Sequence, residues 1–127
     1  MNTVAITSFD AVARKDERGE YWSARDLRAL LGYAAWQHFE TAIERAIAAS
    51  VTARLEAWCH IAPTTKRVEI GSGAVRMIND YWLTRLGAYL VAMNGDPRKP
   101  EVAAAQTYFA TKARQAEVYE ARLGVAS

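Results

Sequence analysis

Glu20-Tyr21-Trp22-Ser23-Ala24-Arg25-Asp26-Leu27 is the stretch that bears most directly on the fold. Ser23 and Asp26 have the spacing of a helix capping box, in which the hydroxyl accepts from the third helical amide and the carboxylate reaches back. We therefore expect a helix to begin here. Gly32 is expected to end it, because glycine adopts the left-handed conformation past a helix end at low cost. The leucines that this helix would bury are Leu27, Leu30 and Leu31.

A second helix is predicted from about Ala35 to Ala49, where apolar residues recur at steps of three and four. The short turn at residues 32–34 means that the two helices either cross at a large angle or fold back, as in a helix-turn-helix unit, and the sequence leaves both open. Its exposed side chains are candidates for contacts in a major groove: Gln37, His38, Thr41 and Arg45. Glu40 and Glu44 lie on the same side, so an amphipathic core helix is the alternative.

Two short β-favouring runs, Lys66–Ile70 and Ala74–Ile78, flank Gly71-Ser72-Gly73 and predict a hairpin with the form of a wing. Upstream, residues 51–65 are expected to be a loop with one helical turn. Period-two alternation predicts a dry face with Val68 and Ile70 and a charged opposite face. The cations of the hairpin could reach phosphates or, alternatively, protect a sheet edge: Lys66, Arg67 and Arg76.

Two further helices are predicted downstream. The first is capped by Thr84, ends at Asn94-Gly95 and would pack through Leu86, Leu90 and Met93. The connector that follows offers Arg98 and Lys99 to an anion at a helix start, or is simply a stiff linker. The last helix begins near Pro100. Its expected inner residues are Val102, Ala105, Phe109, Ala113 and Ala116. Its wider apolar surface predicts self-association through Tyr108, Val118, Tyr119 and Leu123.

The composition is that of one globular domain, with 51% hydrophobic and 24% charged residues in 127. No apolar run approaches the roughly 20 residues that a bilayer requires, and no basic-then-apolar leader opens the chain, so we expect no membrane contact and a cytoplasmic location. A net charge of +2 does not by itself indicate nucleic acid. Between residues 66 and 99, however, six basic residues stand against three acidic ones.

Few side chains could support catalysis or bind a metal. Cys59 is the only cysteine, its side chain diverges from that of adjacent His60, and His38 is the one other histidine. No glycine-rich phosphate loop, nucleophile elbow or His-Glu-x-x-His motif occurs. We therefore expect no enzyme activity, catalytic residue, metal or cofactor. The tryptophans at positions 22, 36, 58 and 82 are expected to pack in the core rather than stack on bases.

Several motifs resemble the DNA-damage-inducible protein D (DinD) family. They are Glu20–Leu27, Leu31-Gly32-Tyr33 with Trp36 and Phe39, Gly71–Ala74, Asp80-Tyr81, Asn94–Pro100 and Ala105–Ala110. The similarity extends over residues 9–117, which we take as the core of a single domain spanning 1–127. The stretch from Ser23 to Tyr33 is also similar to the Bro-N domain of viral and phage antirepressors.

The resemblance implies a mainly α fold with a small β-hairpin (α+β), winged-helix-like as in Bro-N relatives. It also implies a DNA-binding role in the bacterial damage response or in phage antirepression, with single-stranded or duplex DNA as partner. The alternative it implies is a protein-interaction module that modulates a RecA-type recombinase filament or a repressor, either alone or as a homodimer. DinD proteins typically carry a further C-terminal region, so functions that need that region are in doubt.

Overall fold

The computed structural model describes residues 9–124, which form an antiparallel sheet and a set of helices around one core. The strands are β1 (Arg14–Asp16), β2 (Gly19–Ser23), β3 (Ile61–Glu69) and β4 (Val75–Leu83). The helices are α1 (Ala24–Leu30), α2 (Trp36–Thr52), α3 (Ala57–His60), α4 (Arg85–Met93) and α5 (Pro100–Arg122). The α+β class is confirmed. The ends of the predicted single domain, residues 1–8 and 125–127, lie outside the described residues.

The sheet is larger than the small hairpin that the sequence predicted. Its order is β1-β2-β4-β3, with every neighbouring pair antiparallel. The charged run at residues 14–20 forms most of the β1–β2 hairpin, and Gly19 takes a positive φ of 111° at its bend. β2 joins β4 through the Trp22↔Leu83 and Ser23↔Trp82 pairs. These pairings link residues about 60 positions apart, which local patterns do not reveal.

The β3–β4 hairpin is confirmed, but its strands are longer than predicted because β3 begins at Ile61 and passes through Pro63. β3 is an edge strand, where proline is tolerated. All three residues of Gly71-Ser72-Gly73 have positive φ, as the turn signal predicted. The prediction of a buried face with Val68 and Ile70 was wrong, because Ile70 is 59% exposed and Val68 is only half-buried. The outer half of the hairpin extends beyond the core as a two-stranded ribbon.

Helix α1 begins after Ser23 as expected, but the predicted capping box was wrong. The Ser23 hydroxyl donates to Asp80 Oδ2 at 2.5 Å, and Asp80 Oδ1 accepts from the amides of Arg25 (3.0 Å) and Tyr81 (2.8 Å). Asp26 instead pairs with Arg14 at 2.9 Å. The carboxylate that caps α1 therefore comes from β4. Gly32, with φ of 76°, follows the helix as predicted.

Small residues decide how α4 packs. Its buried positions are Gly87, Ala88, Val91 and Ala92, whereas the predicted Leu86 and Met93 are exposed. A Cβ at Gly87 would lie only 2.0 Å from the His60 carbonyl oxygen, so the backbones touch where a leucine could not fit. The predicted cap is confirmed, since Thr84 Oγ1 accepts from the Gly87 amide at 3.0 Å.

The aromatic core lies between the sheet and α5. Trp22 is fully buried, donates to the Phe9 carbonyl at 3.0 Å and packs edge-on against Phe109. Val102, Ala105 and Phe109 are buried as predicted, whereas Ala113 and Ala116 are exposed, because the second half of α5 runs past the core. Trp58 is 70% exposed, so its predicted core position was wrong. Among the helices of residues 9–124, none combines the length and apolarity needed to cross a membrane.

Candidate nucleic-acid interface

The exposed side of α2 and the connector before α5 enclose a shallow polar depression of about 370 Å³. Four predicted contact residues line it together: His38, Thr41, Arg45 and Arg98. Gln37 is exposed on the same helix outside the depression, and its carbonyl accepts from the Thr41 hydroxyl at 3.1 Å. The structure therefore gathers side chains from two separate predicted groups at one place.

Within the connector, Asp96 holds the side chain of Arg98 in place. Asp96 Oδ1 accepts from the backbone amide and the Nε of Arg98, both at 3.0 Å, and Oδ2 accepts from Nη2 at 3.1 Å. These hydrogen bonds and the charge of Arg98 hold the pKa of Asp96 below its usual value. Arg98 is 90% exposed, so the ion pair with Asp96 is screened by water and holds the guanidinium only weakly.

Lys99 does not reach this depression. Its Nζ donates to the Gly32 carbonyl at 3.2 Å and lies 5.1 Å from the centre of the Tyr33 ring. The Tyr33 hydroxyl in turn accepts from the Asp96 amide at 3.0 Å. Lys99 thus links the connector to the turn after α1, because its amine donates to a backbone carbonyl just past the C-terminal end of that helix.

The hairpin cations are divided between two faces of the ribbon. β3 and β4 pair Lys66 with Ile78, Arg67 with Met77 and Val68 with Arg76. Since alternate residues of a strand point to opposite sides, Lys66 and Arg76 share one face and Arg67 lies on the other. Lys66 contacts Asp26 at 3.4 Å. Within the described residues, Arg67 and Arg76 are exposed and form no ion pair.

The ribbon face that carries Arg67 is turned toward α2. Tyr81, on that face, donates to Glu40 Oε2 at 3.1 Å and stacks on Trp36 with 6.2 Å between ring centres. The guanidinium carbon of Arg25 lies 3.7 Å from the centre of the Trp36 ring. The Nε of Arg25 donates to the Asn79 carbonyl at 2.7 Å. Burial, then the bond to Glu40, raises the pKa of Tyr81, which stays a neutral donor.

Helical geometry places α2 between the ribbon and the connector. At 100° per residue, Trp36 and Glu40 face the ribbon, whereas His38 and Arg45 face the connector. Gln37 and Glu44 are exposed on the sector between them. The interface therefore has three parts, which we name the ribbon (residues 64–80), the α2 face (37–48) and the connector (94–99).

Some residues of this surface were missed by sequence reasoning. Asn79 and Met77 are exposed on the same ribbon face as Arg67. Met77 already lay in the predicted run Ala74–Ile78, where alternation would have separated it from Arg76. Asn79 would have been identified in the same way had that run been extended past Ile78. Arg25 gave no sequence signal, because its partner Trp36 lies in a different helix.

The remaining predicted residues stand apart from this surface. Tyr108 was wrongly assigned to self-association, because it is buried and donates to Asp10 Oδ1. Tyr119 and Leu123 are exposed on α5, and Val118 is half-buried.

The Cys59 thiol contacts Glu56 at 3.3 Å, and burial, followed by that carboxylate, raises the pKa of the thiol, which disfavours the thiolate. Within residues 9–124, no group of His, Cys, Asp or Glu side chains has metal-binding proximity.

Comparison with known proteins supports the resemblance inferred from the motifs. Over 99 residues, or 78% of its length, the chain is 43% identical to DNA damage-inducible protein D of Escherichia coli (strain K12). The chain spans 36% of the length of that relative. No protein-family model matches the chain, and no solved structure matches it. The similarity supports a DinD-like family for the chain, whereas the Bro-N relationship stays a prediction.

Proposed function

Because the chain is DinD-like over most of its length, we propose that it is a non-catalytic DNA-binding module of the DNA-damage response. The observation that carries the proposal is the shared depression lined by His38, Thr41, Arg45 and Arg98. Arg45 forms no ion pair within the described residues, and Arg98 is bound only by a screened surface carboxylate. A phosphate in this depression would gain two guanidinium partners, the strongest common hydrogen-bonding arrangement for that group.

The three-part interface suits a duplex in a winged-helix-like arrangement. A major groove about 12 Å wide admits one α-helix, and the exposed sector of α2 offers polar side chains to it. The ribbon and the connector flank α2 on opposite sides, so each would meet one of the two phosphate backbones beside the groove. Arg67 then serves one backbone, and Arg45 with Arg98 serves the other.

The acidic residues of α2 limit what this surface can read. Glu44 is exposed between the flanks, and Glu40 already accepts from Tyr81. A carboxylate near the groove floor repels phosphate. It can accept hydrogen bonds only from the amino groups that bases present in the major groove, N4 of cytosine and N6 of adenine. We therefore propose that affinity comes mainly from phosphate contacts and depends steeply on salt.

Fluorescence anisotropy with a labelled duplex and a labelled single strand tests the proposal across a series of salt concentrations. Arg45→Ala/Arg98→Ala should weaken duplex binding and reduce the slope of log K against log salt by about 2. Arg114→Ala/Arg122→Ala is the matched control, since it removes the same charge from exposed positions on α5, including one ion-paired arginine. Equal losses in both double variants, or no binding at low salt, would contradict the proposal.

A second candidate is a protein-interaction module, and the exposed side chains of Tyr119 (64%) and Leu123 (58%) favour it. They continue the buried stripe of α5 past the core, in the spacing of a helix-packing seam. The partner would be a RecA-type recombinase filament, a repressor or a second copy of the chain. Light scattering over a concentration range tests this by comparing Tyr119→Glu with Ala121→Glu, a control at an exposed position on the opposite side of α5. A monomer throughout, with no binding to recombinase-coated strand, would exclude this function.

A further inference from the structure

Apolar side chains are exposed on the outer part of the ribbon, where the core cannot cover them. Ile70 is 59% exposed, Met77 56% and Val75 39%. Soluble domains usually keep such groups apart, whereas here three lie within a few residues of the hairpin turn. Arg67 and Arg76 stand among them. Neither guanidinium forms an ion pair within residues 9–124, so the ribbon carries free cations next to exposed apolar side chains. This combination complements a ligand that presents both phosphates and apolar ring faces.

Met77 is the apolar side chain best placed toward the proposed interface. It is the direct cross-strand partner of Arg67 and shares its face with Asn79 and Tyr81. Tyr81 fixes that face against α2 through Glu40 and Trp36. Ile70, by contrast, follows the last residue of β3 and donates its amide to the Ala74 carbonyl at 3.1 Å, so it continues the alternation onto the opposite face, which carries Arg76. A duplex held over α2 would therefore meet Met77 and not Ile70.

The hairpin end is slender enough to enter a groove. The turn consists of Gly71-Ser72-Gly73, and a Cβ added at either glycine would meet nothing within 4 Å. The turn thus stands clear of the rest of the described chain. Methionine has an unbranched, flexible and polarisable side chain, which suits it to fill a gap of irregular shape.

We infer that the ribbon bends duplex DNA by inserting the Met77 side chain between adjacent base pairs while Arg67 holds a neighbouring phosphate. Methionine is among the apolar wedges that proteins insert at base steps, where partial unstacking kinks the duplex by roughly 20–90°. This inference rests on the proposed function, because the wedge acts only on a bound duplex. It adds that the bound duplex is bent.

A short duplex carrying a donor and an acceptor dye at its two ends tests the inference, with energy transfer reporting the bend and anisotropy reporting binding of the same duplex. Wild-type protein should raise energy transfer at saturation. Met77→Ala should lose more than about half of that rise while its Kd changes less than about tenfold. Met77→Leu, which keeps an apolar wedge, and Ile70→Ala, on the opposite face, should both retain the bend.

The outcomes separate the two proposals. Binding without any rise in energy transfer, or an unchanged bend in Met77→Ala, would overturn the wedge and leave DNA binding intact. No anisotropy change with wild-type protein would overturn both. Equal loss of bending in Met77→Ala and Ile70→Ala would also overturn the assignment to Met77 and would indicate a general apolar contact. Both positions are more than half exposed, so neither substitution removes core packing.

Discussion

Asp80 offers the sharpest test of how the sheet and the helices are joined. It is 5% exposed, and its carboxylate accepts from the Ser23 hydroxyl and from the amides of Arg25 and Tyr81. One side chain thereby caps α1 and fastens it to β4. Asp80→Ala would leave all three donors without their partner in a largely buried place.

The size of the effect can be worked out from these donors. A buried donor left unpaired costs roughly 1–3 kcal/mol. The Ser23 hydroxyl can rotate and the Arg25 amide is half-buried, so both recover part of the loss, and we expect about 3 kcal/mol for Asp80→Ala. Asp80→Asn keeps one side-chain oxygen as acceptor for the amides of Arg25 and Tyr81. Its amino group can donate to the Ser23 hydroxyl oxygen, so we expect a loss of only about 1 kcal/mol in the free energy of unfolding.

Urea denaturation followed by tryptophan fluorescence measures both values, because Trp22 and Trp82 are buried beside this network. With a slope of roughly 1–3 kcal/mol/M, Asp80→Ala should lower the midpoint by about 1–3 M. Glu120→Ala, an exposed carboxylate on α5, is the control and should shift the midpoint hardly at all. Asp80→Ala and Glu120→Ala with the same midpoint would refute the capping role.

Three further changes have distinct expected results. Gly87→Ala forces a Cβ onto the His60 carbonyl and should destabilise the fold by roughly 3 kcal/mol in thermal unfolding; an unchanged Tm would contradict this backbone contact. Burial, then a hydrogen-bonded carboxylate, raises the pKa of Tyr108 above 10.0, so the folded state keeps a proton that the unfolded state releases. The stabilising contribution of the neutral Tyr108 hydroxyl is complete below pH 10.0 and is lost as the pH rises further. The urea midpoint should therefore fall less above pH 10.0 in Tyr108→Phe than in the wild-type protein. Asp96→Asn frees Arg98 and should tighten DNA binding about two- to fivefold in anisotropy, whereas weaker binding would show that the connector needs the charge.

Elements defined by local signals could be predicted from the sequence. α2 and α5 follow from helical periodicity and a proline at the helix start, and Thr84 caps α4 by a bond within its own turn. The glycine turn of the ribbon was likewise local. β1 and β2 were missed because neither strand has an alternating apolar pattern of its own. Their stability comes from pairing with each other and with β4, far along the chain.

The errors in packing also have a common physical cause. Ser23 and Asp80 are 57 residues apart, and Asp26 has the local spacing that Asp80 lacks, so a local rule selects the wrong carboxylate. For α4, an apolar scale favours Leu86 over Gly87, yet the approach of the His60 backbone demands the residue without a side chain. Contacts between backbones and caps from distant strands leave little trace in composition or periodicity.

The candidate site shows what residue type alone leaves undecided. Lys66 and Arg67 are adjacent cations, and the sequence alone gives no reason to prefer one of them as a phosphate contact. In a strand, however, neighbouring side chains point to opposite faces. Lys66 is then held by Asp26, whereas Arg67 forms no ion pair within residues 9–124 and lies on the ribbon face turned toward α2. A one-residue slip of β3 against β4 would exchange the faces of Lys66 and Arg67 and take Arg67 off the face that carries Met77. The Tyr81–Glu40 bond and the Trp36 stack fix which face of β4 is turned toward α2. The pairs from Ile61↔Leu83 to Glu69↔Val75 then align β3 on that strand. If the proposed interface is correct, Tyr81 therefore contributes to DNA binding without touching DNA, because it holds the face with Arg67 and Met77 toward α2.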